Sequence, residues 1–104
     1  MAQSRIEQLK AILAQDPNNQ LTRYALGMEY SGAGEIDAAI AEFKQLLTAN
    51  PDYANAYFMA AQALAGAERK EEARQMLKDG IAAAQRSRNQ HAQSEMQQML
   101  DELE

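Results

Sequence analysis

A chain of 104 residues fits one domain, and the absence of cysteine excludes disulfides and thiolate metal sites. The formal net charge of −5 repels phosphate backbones, so nucleic acid is not an expected partner. With 21 alanines, 10 leucines and no valine, the composition favours helix almost everywhere and predicts an all-α fold.

The first predicted element is an amphipathic helix within residues 1–16. Ile6, Leu9 and Leu13 recur at helical spacing, whereas Arg5 falls on the polar side. We expect this helix to pack its apolar stripe against the next element and to close the N-terminal end of the domain.

Two helix pairs are predicted to follow, in residues 17–52 and 53–86. Tight turns inside the pairs are indicated by the glycine-containing stretches 31–34 and 65–67. Asp16 precedes Pro17, and Asn50 precedes Pro51 in the same way. An N-cap residue followed by proline is typical of a helix start, so we expect a helix to begin at each proline.

The two pairs are related by a sequence repeat of 34 residues, which is the distance from Pro17 to Pro51. The same offset matches residues of like kind: Ile6 with Ile40, Leu9 with Phe43, Leu13 with Leu47, Tyr30 with Leu64, Ala39 with Ala73, and Leu47 with Ile81. This period equals the length of one helix–turn–helix unit, so the chain is predicted to be a helical repeat protein.

One unit carries a more specific pattern, formed by Arg23, Leu26, Gly27, Tyr30, Gly34, Ala39, Phe43 and Pro51. It resembles the tetratricopeptide repeat (TPR) signature W-x2-L-G-x2-Y, A-x3-F, P, with Arg23 in place of the first aromatic residue. The next unit has Tyr57 at that position, but Gln85 replaces the closing proline. The small residues Gly27 and Ala39 would let two helices approach each other closely.

The resemblance implies an antiparallel helix-pair solenoid, a right-handed superhelix of about six helices. Its parts would be an N-terminal half-repeat helix (1–16), repeat 1 (17–52), repeat 2 (53–86) and a C-terminal capping helix (87–104). Ala92, Met96, Met99 and Leu100 would form the apolar side of the capping helix. Its outward polar side would comprise Gln90, Gln93, Gln97, Gln98, Asp101 and Glu102. Gly80, within a predicted helix, indicates either close packing with this final helix or a kink.

Enzyme signatures and cofactor sites are not predicted. His91 has no second His or Cys at helical spacing that would complete a metal site. Glu71 and Glu72 are adjacent and diverge by about 100° on a helix, so they cannot converge on one substrate as paired catalytic carboxylates do. We therefore expect no catalysis, no metal and no cofactor.

The family resemblance implies that the first helix of each pair lines a groove that holds a peptide. The predicted binding residues lie beside the packing stripes of these helices and on the capping helix: Leu21, Tyr24, Met28, Asn55, Phe58, Gln62 and Met96. Most of the set is large and apolar, and methionine adapts to varied partners. Alternatively, the terminal helices fold over part of this strip and bury it, and Met96 fits cap packing equally well.

The expected partner is a protein or peptide that brings apolar side chains, for example on an amphipathic helix. The clamp for C-terminal carboxylates found in some family members is not expected, because only Asn55 is compatible with it. Six of the ten basic residues fall in 69–88, alongside four acids (Glu68, Glu71, Glu72 and Asp79), which indicates a weakly positive rim suited to an acidic partner.

Two further expectations concern self-association and location. The same apolar strip, or an exchanged capping helix, would make the chain a homo-oligomerisation module, which is the alternative to a scaffold and implies a homodimer. No run approaches the roughly 20 apolar residues of a membrane span, and residues 1–15 lack the apolar stretch of a signal peptide. We therefore expect a soluble cytoplasmic protein that does not bind membranes.

Overall fold

The chain folds into six α-helices joined by short turns, in a computed structural model that describes residues 2–103. The helices are α1 (Ala2–Gln15), α2 (Gln20–Gly32), α3 (Ile36–Ala49), α4 (Ala54–Gly66), α5 (Lys70–Arg86) and α6 (Gln90–Glu102). No strand occurs among the described residues, and the predicted all-α class is confirmed.

The start of α2 differs from the sequence prediction. The helix begins after Asn19, whose side chain accepts a hydrogen bond from the Thr22 amide at 3.0 Å. Pro17 lies instead in a turn, in which the Asn19 amide donates to the Asp16 carbonyl at 3.2 Å. Proline suits the second position of such a turn because its φ is fixed, so Asp16 and Pro17 open a β-turn and not a helix.

The second proline lies in the same kind of turn. The Tyr53 amide donates to the Asn50 carbonyl at 3.1 Å, and the Asn50 amide donates to the Leu46 carbonyl at 2.8 Å. Asn50 is therefore the C-cap of α3, and Tyr53 immediately precedes α4. The prediction that Asp16 and Asn50 are N-caps is wrong at both positions.

Three helices, α2, α4 and α5, are followed by the same left-handed turn. The backbone φ is positive at Gly34 (79°), Glu68 (62°) and Arg88 (57°). The amide that follows each of these residues donates back into the last helical turn, as Glu35 does to the Tyr30 carbonyl at 2.9 Å. Glycine adopts such a φ freely, whereas a residue with a side chain loses about 1–2 kcal/mol.

Glu68→Gly is expected to raise the free energy of unfolding by about 1 kcal/mol, because glycine relieves the strained backbone. Urea denaturation followed by circular dichroism measures this change. Glu68→Ala is the matched control, since it removes the same exposed carboxylate, 3.9 Å from the Lys70 ammonium, but keeps a Cβ. An equal gain from the alanine variant would show that charge sets the effect, contrary to this explanation.

The helices form two rows. The inner row consists of α2, α4 and α6, and each of its helices contacts the next. The outer row consists of α1, α3 and α5, which do not contact one another within residues 2–103. Outer helices pack against the inner ones: α1 on α2, α3 on α2 and α4, and α5 on α4 and α6. The row whose helices lie closer together has the smaller radius, so the inner row is the concave side of a helical solenoid.

Small residues let the helices interlock. A Cβ on Gly27 would lie 2.7 Å from Cε1 of Phe43, so the close approach of α2 and α3 requires glycine there. A Cβ on Gly80 would lie 2.5 Å from Sδ of Met96 and 2.7 Å from Cβ of Tyr57. Gly80 therefore packs closely against the final helix, which confirms that interpretation of its position.

Arg23 departs from the repeat signature, which has an aromatic residue at this position. It nevertheless makes the same kind of hydrogen bond as Tyr57, which occupies the equivalent position in the second unit. In the second unit, the Tyr57 hydroxyl donates to the Pro51 carbonyl at 2.6 Å. At the equivalent position, Arg23 Nη2 donates to the Pro17 carbonyl at 3.1 Å, and Nη1 pairs with Glu42 at 2.7 Å. Arg23 thus ties α2 to the preceding turn, as the tyrosine ties α4.

Candidate partner-binding surface

The predicted binding residues of α2 and α4 form two stripes on the inner row. They are Leu21, Tyr24 and Met28 on α2 and Asn55, Phe58 and Gln62 on α4, and together they are named the concave surface. Leu21 is 72% exposed, and the two amide side chains are also exposed. The other three side chains are half-buried and pack against the core. Their spacing aligns each trio along one face of its helix.

Met96 does not belong to this surface. Its side chain is 1% exposed, and its sulfur lies against the backbone of Gly80. The prediction that Met96 contacts a partner is therefore wrong, and cap packing is its role. Met96 is buried because of a contact between two helices. Gly80 has no side chain, so there is space beside it for the long Met96 side chain, and this side of α6 faces the core.

A different stripe of α6 faces the concave side. A cleft of about 300 Å³, named the α4–α6 cleft, is lined by Phe58, Gln62, Glu95, Gln98, Met99 and Glu102. Gln98 and Glu102 are predicted from the sequence to lie on the outward polar side, and Glu95 is not among the predicted site residues. Helical spacing could have identified these residues. If Met96 points into the core, then Glu95, Met99 and Glu102, at i, i+4 and i+7, lie together on the neighbouring face of α6.

Among the inner-row helices, only α6 carries acidic side chains that no Lys or Arg within the described residues neutralises. Helix α4 contains no Asp, Glu, Lys or Arg. On α2, Arg23 pairs with Glu42, and Glu29 pairs with Arg5 at 3.4 Å. Helix α6 contains Glu95, Asp101 and Glu102 and no Lys or Arg. The concave side is therefore apolar at α2, neutral at α4 and acidic at α6.

Tyr24 connects the concave surface to the core. Its ring centroid lies 6.0 Å from that of Phe43 and 5.7 Å from that of Tyr53. Burial raises the pKa of Tyr24 above its ordinary value, and the Tyr53 phenol adds to this effect. The ring is thus held from two sides, so its replacement would disturb the core as well as the surface.

Arginines of the expected positive rim are engaged in ion pairs with carboxylates. Arg69 lies 2.6 Å from Asp37 and 2.9 Å from Glu72, and its guanidinium lowers the pKa of Glu72. Arg86 lies 2.9 Å from Asp52. The Arg69 pairs join the N-cap of α5 to α3 and to the first turn of α5, and the Arg86 pair joins the end of α5 to the turn before α4. Both arginines therefore stabilise the fold.

A larger cleft lies on the outer row, between α3 and α5. It has a volume of about 530 Å³ and is lined by Lys44, Leu47, Thr48, Tyr57, Met76, Asp79, Ala82 and Arg86. Tyr57 and Met76 are already buried in the core, and Arg86 is bound to Asp52. Part of the lining of this outer cleft is therefore already used by the core and by an ion pair.

The described residues form neither a cluster of metal ligands nor a membrane-spanning helix. Within residues 2–103, no three His, Cys, Asp or Glu side chains are grouped as metal ligands would be. Over the same range, no helix has both the length and the hydropathy that crossing a bilayer requires. His91 is an exposed residue whose Nε2 lies 3.5 Å from Glu95.

Comparison with known proteins agrees with this architecture. The family model described as tetratricopeptide repeat matches residues 30–100. A TPR repeat-containing protein of Pseudomonas aeruginosa is 29% identical over 99 residues, which cover 95% of this chain and 94% of that protein. A solution structure of a Bordetella parapertussis protein is 35% identical with a TM-score of 0.80, covering 94% of this chain and 85% of that one.

A tetratricopeptide repeat domain protein from Salinibacter ruber, also solved in solution, gives a TM-score of 0.78 at 29% identity. That match covers 86% of this chain and 90% of the other. The family model spans well over half of the chain and includes α3, α4 and α5 in full. The chain therefore belongs to the tetratricopeptide repeat family.

Proposed function

We propose that this chain is a protein-interaction scaffold that binds a partner peptide or helix on its concave surface. Membership of a family known for protein interaction supports this role. The observation that carries the proposal is the exposure of Leu21, at 72%, on the inner row. Leu21 continues the line of the half-buried Tyr24 and Met28, and a contiguous apolar stripe of this kind is typical of a surface that a partner covers.

The two stripes supply complementary kinds of contact. Leu21 and Met28 gain about 25 cal/mol for each Å² of apolar area that a partner removes from water. Phe58 is an aromatic anchor, a residue type that carries much of the binding energy in protein interfaces. Asn55 and Gln62 flank it with amide donors and acceptors, which can fix the register of a bound backbone.

The test compares an inner-row variant with a matched outer-row variant. Random dodecapeptides displayed on phage are selected against the wild-type chain, and the recovered peptides are then titrated against Leu21→Ser/Phe58→Ser. We expect this variant to bind at least about tenfold more weakly, because two apolar contacts are lost. The control is Ile12→Ser/Leu47→Ser, which changes one exposed and one half-buried apolar side chain on the outer row.

The control variant is expected to bind the peptides as the wild type does, with circular dichroism showing that both variants are folded. Loss of binding in the outer variant with retention in the inner one would refute the proposal. Light scattering over a concentration series tests occupation by a second copy. A dimer that Leu21→Ser/Phe58→Ser dissociates would favour homo-oligomerisation over a scaffold.

A further inference from the structure

We infer that the partner segment carries a lysine or arginine, which the α4–α6 cleft accepts while apolar side chains of the same segment lie along α2. This inference rests on the proposed function and specifies the chemistry of the partner.

The inner row leaves negative charge unneutralised at one end only. The charges of α2 are paired within the fold, and α4 has none. Within the described residues, Glu102 has no ion pair, and Glu95 has only His91, which is charged only when protonated. Arg74, on the neighbouring α5, is already engaged by Glu71 and by the carbonyl of Leu103. The carboxylates of the cleft are thus available to a cation from outside.

The cleft geometry suits a long cationic side chain. Glu95 and Glu102 lie on one face of α6, about 10 Å apart along the helix axis at 1.5 Å per residue. Phe58 and Met99 line the same cleft. The methylene stem of a lysine or arginine packs against such apolar groups while its charged head reaches a carboxylate. A cation placed over the face of the Phe58 ring would gain a cation–π attraction.

One of the two cleft carboxylates lies at an unfavourable place on α6. Glu102 is at the C-terminal end of the helix, where the helix dipole is negative, and Arg74 of α5, which donates to the Leu103 carbonyl there, is also engaged by Glu71. Acidic residues there cost stability by a few tenths of a kcal/mol or more. A bound cation relieves this repulsion, and the net charge of −5 attracts a basic segment from a distance.

The experiment selects displayed dodecapeptides against the wild-type chain and against Glu95→Gln/Glu102→Gln. We expect wild-type selections to be enriched in Lys or Arg next to apolar residues, and those peptides to bind the variant roughly tenfold more weakly. Their binding to the wild type should also weaken as salt rises. Asp101→Asn is the matched control, because Asp101 lines the outer side of α6 and accepts a hydrogen bond from Gln97 at 3.0 Å.

The outcomes separate this inference from the proposed function. Apolar or acidic peptides that bind Glu95→Gln/Glu102→Gln as well as the wild type would overturn the cationic partner but leave the concave surface as the binding site. An equal loss in Asp101→Asn would also overturn it, since general charge would then explain the effect. Peptides of any charge that bind Leu21→Ser/Phe58→Ser undiminished would refute the proposed function itself.

Discussion

Phe43→Ala is expected to lower the free energy of unfolding by about 3–5 kcal/mol, the usual range for a buried phenylalanine. The ring of Phe43 is 0% exposed, abuts Gly27 and packs beside Tyr24. Alanine would leave a cavity where α2 and α3 meet, because the surrounding helices cannot collapse into it fully. Since a domain of this size has a stability of about 5–15 kcal/mol, the variant would be marginally folded.

Urea denaturation followed by circular dichroism gives this loss directly. Phe43→Leu is the control, because leucine keeps much of the volume and the apolar character, and it should cost clearly less than the alanine variant. A loss below about 1 kcal/mol for Phe43→Ala would contradict the position of this ring in the core.

Gly80→Ala is expected to lower the free energy of unfolding by about 1–3 kcal/mol through overpacking. The new Cβ would meet Cβ of Tyr57 at 2.7 Å, an atom fixed close to the backbone of α4. It would also meet Sδ of Met96 at 2.5 Å, although that flexible side chain can move aside. Alanine normally stabilises a helix by about 0.5–1 kcal/mol relative to glycine. The free-energy cost of the clash is expected to be larger than this gain.

Gly32→Ala provides a control in which the same substitution acts in the opposite direction. Gly32 also lies in a helix, but a Cβ there has no heavy atom within 4 Å. This variant should therefore gain up to about 1 kcal/mol in the same denaturation experiment. Equal effects at Gly32 and Gly80 would show that the contact between α5 and α6 is looser than described.

The sequence predicts the number and type of elements because its signals are local. Leucines and alanines at helical spacing specify six helices, and the 34-residue offset between Pro17 and Pro51 identifies the repeating unit. The exact helix starts are not predicted correctly, because Asp or Asn before proline fits a β-turn as well as an N-cap. The hydrogen bond from Thr22 to Asn19, and not the proline, marks the start of α2.

The candidate site is predicted less completely, because its C-terminal part depends on how α6 is rotated. A helix with both apolar and polar stripes has several orientations that satisfy its own sequence. Gly80 selects one of them by accepting Met96, and this choice brings Glu95 and Glu102 to the concave side. A contact between two helices thus sets the electrostatic character of the cleft, and no single segment of the sequence contains that information.

We propose that a partner binds the inner row and not the outer one. A titration of the nitrogen-15-labelled chain with a selected peptide, followed by amide chemical shifts, tests it most directly. We expect the largest shifts at Met28, Phe58 and Gln62, with further shifts on α6 if the peptide is cationic. The largest shifts at Lys44 and Ala82, in the cleft between α3 and α5, would contradict it.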